Sequence, residues 1–323
     1  MEQIIHKEEI TNHPDWNESY YFVFYDKTQK IGGMSRIGFK PNKQEGMTFL
    51  FLFFPNGSAA GFYRTIKINE FTNQIEVKKM RHGWKENGTW DYIFNGKMIF
   101  VKNSRDLPRV NDNPKLITKL EKVDLNLSYE PINEVYEYSK FMTPESLEIG
   151  KRSGDKHWEQ IGLVKGSIKL GEEKISLNDV MSQRDHTYGV RDWTGVGNWI
   201  YCVIWFNKKL ALNPAAIITD EGKISSGGFI YKNGVNIPLQ QIKILEEKNE
   251  SDGIYPMSSA LEILDYYGEA HYLKGKVGPI IPVPFKDELG NQSILVQSFG
   301  KFELDTIKGG YGTFETLRKL KLK

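Results

Sequence analysis

The chain has 323 residues with 43 basic and 41 acidic side chains, a formal charge of +2, and an ordinary hydrophobic fraction of 39%. That length and apolar content allow one large or two medium domains, each with a real core. The even charge balance leaves no basic stripe of the kind phosphate backbones select, so nucleic acid is not an expected partner.

The N-terminal stretch "MEQIIHKEEITNHPDW" contains acidic residues and no apolar run of signal-peptide length, and about eighteen consecutive apolar residues occur nowhere. The expectation is a cytoplasmic protein without stable membrane insertion. Next comes "HPDWNESYYFVFYD", in strict alternation: Trp16, Glu18, Tyr20, Phe22 and Phe24 on one face, Asn17, Ser19, Tyr21, Val23 and Tyr25 on the other. Glu18, set among aromatic residues, is either a rim or a cavity carboxylate.

Short aromatic or β-branched runs separated by Gly, Asn or Asp turns continue along the chain: "MTFLFLFF" before "PNGS", "TWDYIFNGKMIFVKN", "HWEQIGLVKGSIKLGEEKISL" and "AAIITDEGKISSGGFIYKNG". This is the pattern of many antiparallel strands joined by tight hairpins. One short helix is expected in "TPESLEIGKRSG", where Thr143 and Pro144 suit a cap and first turn. No strand-helix alternation occurs, which disfavours a parallel α/β fold. The closing "FETLRKLKLK" reads as a last strand because "GGYGTFETL" alternates before it, and "GGYGT" reads as a strand bend rather than a nucleotide cradle. "MTFLFLFFPNGSAAGFY" and "LALNPAAIITDEGKISSGGFIY" share a strand-turn-strand pattern ending in Gly-Phe-aromatic. That weak internal match points to two similar β domains, and closed barrels would remove the edges so many strands create.

The densest chemistry lies in "RDHTYGVRDW", residues 184–193. If extended, Asp185, Thr187 and Gly189 face one side and Arg184, His186 and Tyr188 the other, with Gly189 breaking the regularity. An ionised Asp beside Arg and a His held in one tautomer are raw material for acid-base catalysis. The alternative is a polar staple between β domains, built from two Arg-Asp pairs with Tyr188 and Trp193 packed on it. Upstream, Glu159 in "DKHWEQIGLVKGSI" is either an exposed strand carboxylate or, pressed against Trp158 in a cavity, an acid of raised pKa.

Cys202, the single cysteine, sits in the apolar run "WIYCVIWF" and reads as a small buried hydrophobe. Histidines 6, 13, 82, 157, 186 and 271 lack ligand spacing, so no metal is expected. Phosphate-loop, Rossmann, His-Glu-x-x-His and nucleophile-elbow signatures are missing, so no cofactor is expected either.

The series "WNESYYF", "RIGFKPN", "HWEQIGLVKGSI", "RDHTYGVRDW" and "GGYGTFE" resembles the two-domain lipocalin-like proteins grouped with AttH-like proteins and carotenoid 1,2-hydratase. In those proteins a stretch of the form Asp-His-Ser/Gln-Trp-Gly follows a strand; Asp185, His186 and Gly189 match it, while Thr187 and Tyr188 replace the usual residues. The resemblance runs from about residue 13 to residue 315. It implies an all-β fold of two tandem lipocalin-like (calycin) antiparallel β-barrels packed side by side, assigned here to residues 1–180 and 181–323. It also implies an apolar cavity and a hydrophobic small-molecule ligand.

Combined with that resemblance, the sequence points to a cofactor-independent enzyme on an isoprenoid, terpenoid or similar apolar unsaturated substrate, performing hydration, isomerisation or cyclisation. The expected parts are Asp185 as acid assisted by His186, Arg191 and Asp192 orienting the network, and Glu159 or Glu18 as second carboxylate. Trp16, Trp158, Tyr188 and Trp193 would wall the pocket and stabilise developing cations. Pairing with Arg would lower the Asp185 pKa, which conflicts with a donor role. The alternatives are a lipid or isoprenoid carrier without catalysis, and a pericyclase-like catalyst that only shapes its substrate.

Overall fold

The computed structural model describes residues 5–320. In chain order the strands are β1 (Trp16–Asp26), β2 (Ile31–Lys40), β3 (Glu45–Phe53), β4 (Ala59–Lys67), β5 (Ile75–Val77), β6 (Met80–Trp84), β7 (Trp90–Val101) and β8 (Ile117–Pro131). A two-residue β9 (Tyr136–Glu137) and the helix α1 (Pro144–Gly150) precede the long β10 (Lys156–Leu170) and β11 (Glu173–Val190). Then follow β12 (Asn198–Asn207), β13 (Leu210–Ile218), β14 (Ile224–Lys232), β15 (Val235–Asn249), β16 (Pro256–Asp265), β17 (Ala270–Lys286), β18 (Gln292–Leu304) and β19 (Ile307–Leu320). The fold is all-β and lipocalin-like, as the sequence pattern and the resemblance imply. The cap on α1 forms as expected, Thr143 Oγ1 accepting the Ser146 amide at 3.2 Å. β19 carries the closing alternation to Leu320; residues 321–323 of that stretch lie outside the described residues.

The chain divides into two compact units, residues 1–135 with 154–191, and residues 136–153 with 192–323. The division falls at Arg191/Asp192, beyond the expected 180/181, because β11 keeps pairing with β1 up to Val190. The segment 136–153, expected in the first barrel, belongs to the second unit, where α1 packs on β14.

In the first unit the sheet runs β4-β3-β2-β1-β11-β10-β8-β7-β6-β5, and β7 pairs again with β4 through Ala59↔Val101, Ala60↔Phe100 and Gly61↔Ile99. That pairing brings the end strand β4 back onto β7, so the strands from β4 to β7 in that order form a ring from which β6 and β5 extend. The alternation expected for β1 is observed: Tyr20, Phe22 and Phe24 enter a core with Tyr92, Phe94, Leu125, Leu127 and Tyr129. Phe22 stacks on Tyr92 with ring centres 3.6 Å apart. Burying each aromatic ring contributes on the order of 1.5–3 kcal/mol of transfer energy to this core.

Gly162 on β10 is set by this core. Tyr129 leans across it to donate its hydroxyl to the Gln160 carbonyl at 2.7 Å, and a β-carbon at 162 would stand 2.3 Å from the Tyr129 ring and 2.6 Å from the Glu130 carbonyl oxygen. Gly162→Ala is therefore expected to lower stability by about 1–3 kcal/mol, the usual cost of overpacking. Urea denaturation checks this, and an unchanged midpoint would show that Tyr129 can move aside.

In the second unit β12 to β19 close into a barrel. Its core gathers Ile200, Ile204, Leu212, Ile230, Leu261, Ile263, Phe302 and Phe314. Cys202 is part of that core, and burial pushes its thiol up, so it is an inert hydrophobe. Among the described residues no helix is long and apolar enough to cross a membrane.

Candidate functional site

Strands β1, β10 and β11 lie side by side in register, so partners across them share a face. Glu18 pairs with Tyr188, Tyr20 with His186 and Phe22 with Arg184. On the other side of β11, Trp158 pairs with His186, Gln160 with Arg184, and Glu159 with Asp185. The even-numbered residues of β1 enter the core, which sends Arg184, His186 and Tyr188 to the lumen and Gln183, Asp185 and Thr187 to the opposite face. The strand alternation thus sorts residues 184–188 of the motif onto two opposite faces.

On the lumen side Glu18 is fully buried, and its Oε1 lies 2.8 Å from His186 Nε2 and 2.8 Å from His6 Nδ1. The His6 amide also donates to Glu18 Oε2 at 2.9 Å. Burial works to raise the Glu18 carboxyl, but the bonds from His186 and His6 outweigh it and hold the pKa below the usual value. Aromatic rings enclose this network: Tyr20 stacks on His186 at 4.1 Å, and Trp158 and Tyr188 flank His6 at 5.6 and 4.6 Å. Deeper in, Arg184 donates twice to Gln160 Oε1, at 3.0 and 2.6 Å, and lies 4.8 Å above the Trp90 ring.

On the opposite face His157 Nε2 lies 3.0 Å from Glu159 Oε1 and 3.7 Å from Asp185 Oδ2. Glu159 is fully buried, and its second oxygen accepts the Gln183 amide at 2.6 Å. Burial opposes charging His157, yet the carboxylates of Asp185 and Glu159 push its pKa up to about 9. Burial likewise works to raise Asp185, and the contact with His157, with the charges of His157, Arg191 and Arg36, overcomes it and keeps the carboxyl low. Both shifts favour a charged His157 ring beside an ionised Asp185. Three buried oxygens along this face of β11 have no hydrogen-bond partner: Gln183 Oε1, Asp185 Oδ1 and Thr187 Oγ1. Unpaired buried acceptors cost about 1–3 kcal/mol each unless a bound water or a ligand hydroxyl donates to them.

A family model described as domain of unknown function DUF7064 matches residues 3–319. The chain belongs to the DUF7064 family. No curated protein matches it. Solved structures do resemble this DUF7064 chain over nearly its whole length. A putative AttH from Nitrosomonas europaea is 11% identical, covers 98% of this chain and 97% of its own, and has a TM-score of 0.63. CghA is 8% identical over 96% of this chain and 89% of its own, with a TM-score of 0.56. Kievitone hydratase from Nectria haematococca is 11% identical over 97% and 92%, with a TM-score of 0.55. The AttH-like fold implied by the sequence motifs is thus the fold of this DUF7064 chain.

The expected site residues fall in three places. Asp185, Glu159 and Arg191 belong to the outward network, where Arg191 Nη1 reaches Ser19 Oγ at 3.3 Å. His186, Glu18, Trp158 and Tyr188 belong to the lumen network, with Trp16 packed on Tyr188 at 6.1 Å. Asp192 and Trp193 lie in the second unit. There Asp192 Oδ1 closes a turn by accepting the Gly195 amide at 2.8 Å, and Trp193 stacks on Phe285 at 4.6 Å.

Two expectations change. Asp185 and His186 do not act on one another, because neighbours on a strand point to opposite faces. The Arg184-Asp185 pair of the staple reading does not form for the same reason, and Arg184 binds Gln160 instead. His6 and His157 are the groups the sequence reading missed. For His157 a signal existed: His157-x-Glu159 repeats at the strand period of two. For His6, which precedes β1 by an irregular segment, there was none.

Proposed function

We propose that this DUF7064 chain is an enzyme that adds water to, or moves a proton within, an apolar unsaturated small molecule. The observation carrying the reading is the Asp185-His157-Glu159 group, with an unpaired buried oxygen on Asp185 itself and two more beside it on Gln183 and Thr187. In this reading Asp185 is the base rather than the acid, because its pKa is held low, and His157 is the proton donor. Asp185 takes a proton from water as the oxygen attacks one carbon, and the His157 imidazolium gives a proton to the other. The proton on Asp185 then returns to His157 across the 3.7 Å gap, and the enzyme is restored. Glu159, 3.0 Å from His157 Nε2, holds the ring.

A donor with a pKa of about 9 is too weak to protonate an isolated alkene, so the chemistry favours a double bond conjugated to an electron-withdrawing group such as a carbonyl. Gln183 and Thr187 would take hydrogen bonds from the water or from substrate hydroxyls. Support of a general kind comes from the fold shared with a protein named a hydratase, and no cofactor enters the scheme.

Solvent extraction of protein purified from its own host, followed by mass spectrometry, provides the test. A retained unsaturated compound that gains one water, with label from ¹⁸O-water, is the expected result. A retained compound returned unchanged in labelled water would sink the enzyme reading and leave a carrier.

A further inference from the structure

Three groups of His and carboxylate side chains with metal-ligand spacing occur among the described residues: His6-Glu18-His186, His157-Glu159-Asp185, and Asp265-Glu269-His271. They differ in what balances their charge. The His157 group has Arg191 and Arg36 acting on Asp185, and a cation would be repelled there. In the Asp265 group, Oδ1 of Asp265 is committed to the amides of Tyr267 and Glu269 and closes the turn between β16 and β17. Among the three, the lumen group has a buried carboxylate whose charged partners are imidazoles alone.

Glu18 is fully buried and, among the described residues, pairs with no Lys or Arg. Its Oε1 faces Nδ1 of His6 and Nε2 of His186, each at 2.8 Å, and the Tyr20 hydroxyl at 3.4 Å. One oxygen therefore meets more donors than its two lone pairs serve well. The three ligand atoms lie within 4.8 Å of one another, close to the span one ion bridges with bonds of about 2.0–2.2 Å. Two imidazoles and one carboxylate are the donor set of borderline first-row divalent ions, and the surrounding rings of Tyr20, Trp158 and Tyr188 would exclude water.

We propose that His6, Glu18 and His186 bind one divalent transition-metal ion, zinc foremost, within the first barrel. The ion ties the segment preceding β1 to the barrel, since His6 is the only ligand outside the strands and the neighbouring Ile5 enters the core. The Glu18 Oε2 contact with the His6 amide fixes the carboxylate for monodentate ligation through Oε1. The site is separate from the Asp185-His157-Glu159 group and its test needs no turnover.

The full chain, stripped with a chelator and dialysed, is titrated with Co²⁺ and then Zn²⁺. One Co²⁺ per chain is expected, with a visible absorption band that Zn²⁺ abolishes. His6→Ala and Glu18→Gln should weaken binding by more than the roughly 100-fold that loss of an outer-shell partner costs, while His157→Ala keeps it. His6→Gln, checked by circular dichroism, serves if the alanine variant does not fold. The proposal falls if the stripped protein takes up no metal at micromolar concentration. It also falls if uptake survives both His6→Ala and Glu18→Gln, or is lost in His157→Ala.

Discussion

Turnover on the host-derived substrate should drop by about 10²- to 10⁴-fold in Asp185→Asn and again in His157→Gln, the range expected when a positioned acid or base is removed. The two losses should not multiply in the double variant, because base and donor exchange one proton and act as a unit. Binding of the substrate should change far less, since each change nearly keeps the size of the side chain. Asp185→Asn also leaves His157 with a single carboxylate, so the alkaline limb of the rate profile should move down from about 9 in any residual activity. Steady-state kinetics with melting curves on the same samples decide the matter. If the variants melt many degrees lower yet turn over at the parent rate, the group is structural and the assignment is wrong.

Thermal stability should peak near pH 6.5 and fall on both sides, because two histidines in the first unit are shifted in opposite directions. His157 titrates at about 9 in the fold against about 6.5 unfolded, so its contribution is complete below pH 6.5 and is lost as pH rises toward 9. The amount at stake is on the order of 3 kcal/mol, from 1.36 kcal/mol per unit. His82, buried and 3.0 Å from Ser35 Oγ, is lowered by burial to about 3. Its contribution is complete above pH 6.5 and drains away as pH falls toward 3. Glu18 and Asp185, both lowered, steepen the acid limb in the same sense. Melting temperatures from pH 4 to 9.5 provide the check, with His157→Gln expected to flatten the limb between 6.5 and 9. A profile that still falls there in His157→Gln would assign the loss to another group.

The legible part of this molecule is whatever repeats at a period of two. Alternation in "WNESYYFVFY" puts Glu18 and Tyr20 on one face, and the same rule places Arg184, His186 and Tyr188 opposite Asp185 and Thr187. Register across strands is a different matter, since Glu159 meets Asp185, and Trp158 meets His186, through pairings fixed by turns and bulges far from either residue. Without that register, two networks on opposite faces looked like one. The surroundings of Asp185 differ from the expected ones for a related reason: the neighbour in sequence, Arg184, is not the neighbour in space, and the ring beside its carboxylate, His157, comes from β10. His6 shows the limit most plainly, because an irregular segment carries no period from which its landing place could be inferred.

Asp185 and His186 are consecutive residues on a wall one residue thick, and this governs how the chain can change. Substitutions can tune either network alone, since each side chain serves a single face. A change of length cannot. Deleting Gln183 while β11 keeps its pairing up to Ser182 would turn Asp185 inward against the aromatic rings and send His186 outward, exchanging the chemistry of both faces at one stroke. Random libraries should therefore yield functional variants at these strands through point changes and almost none through single-residue insertions or deletions, whereas hairpin tips such as Asn56-Gly57 should accept both.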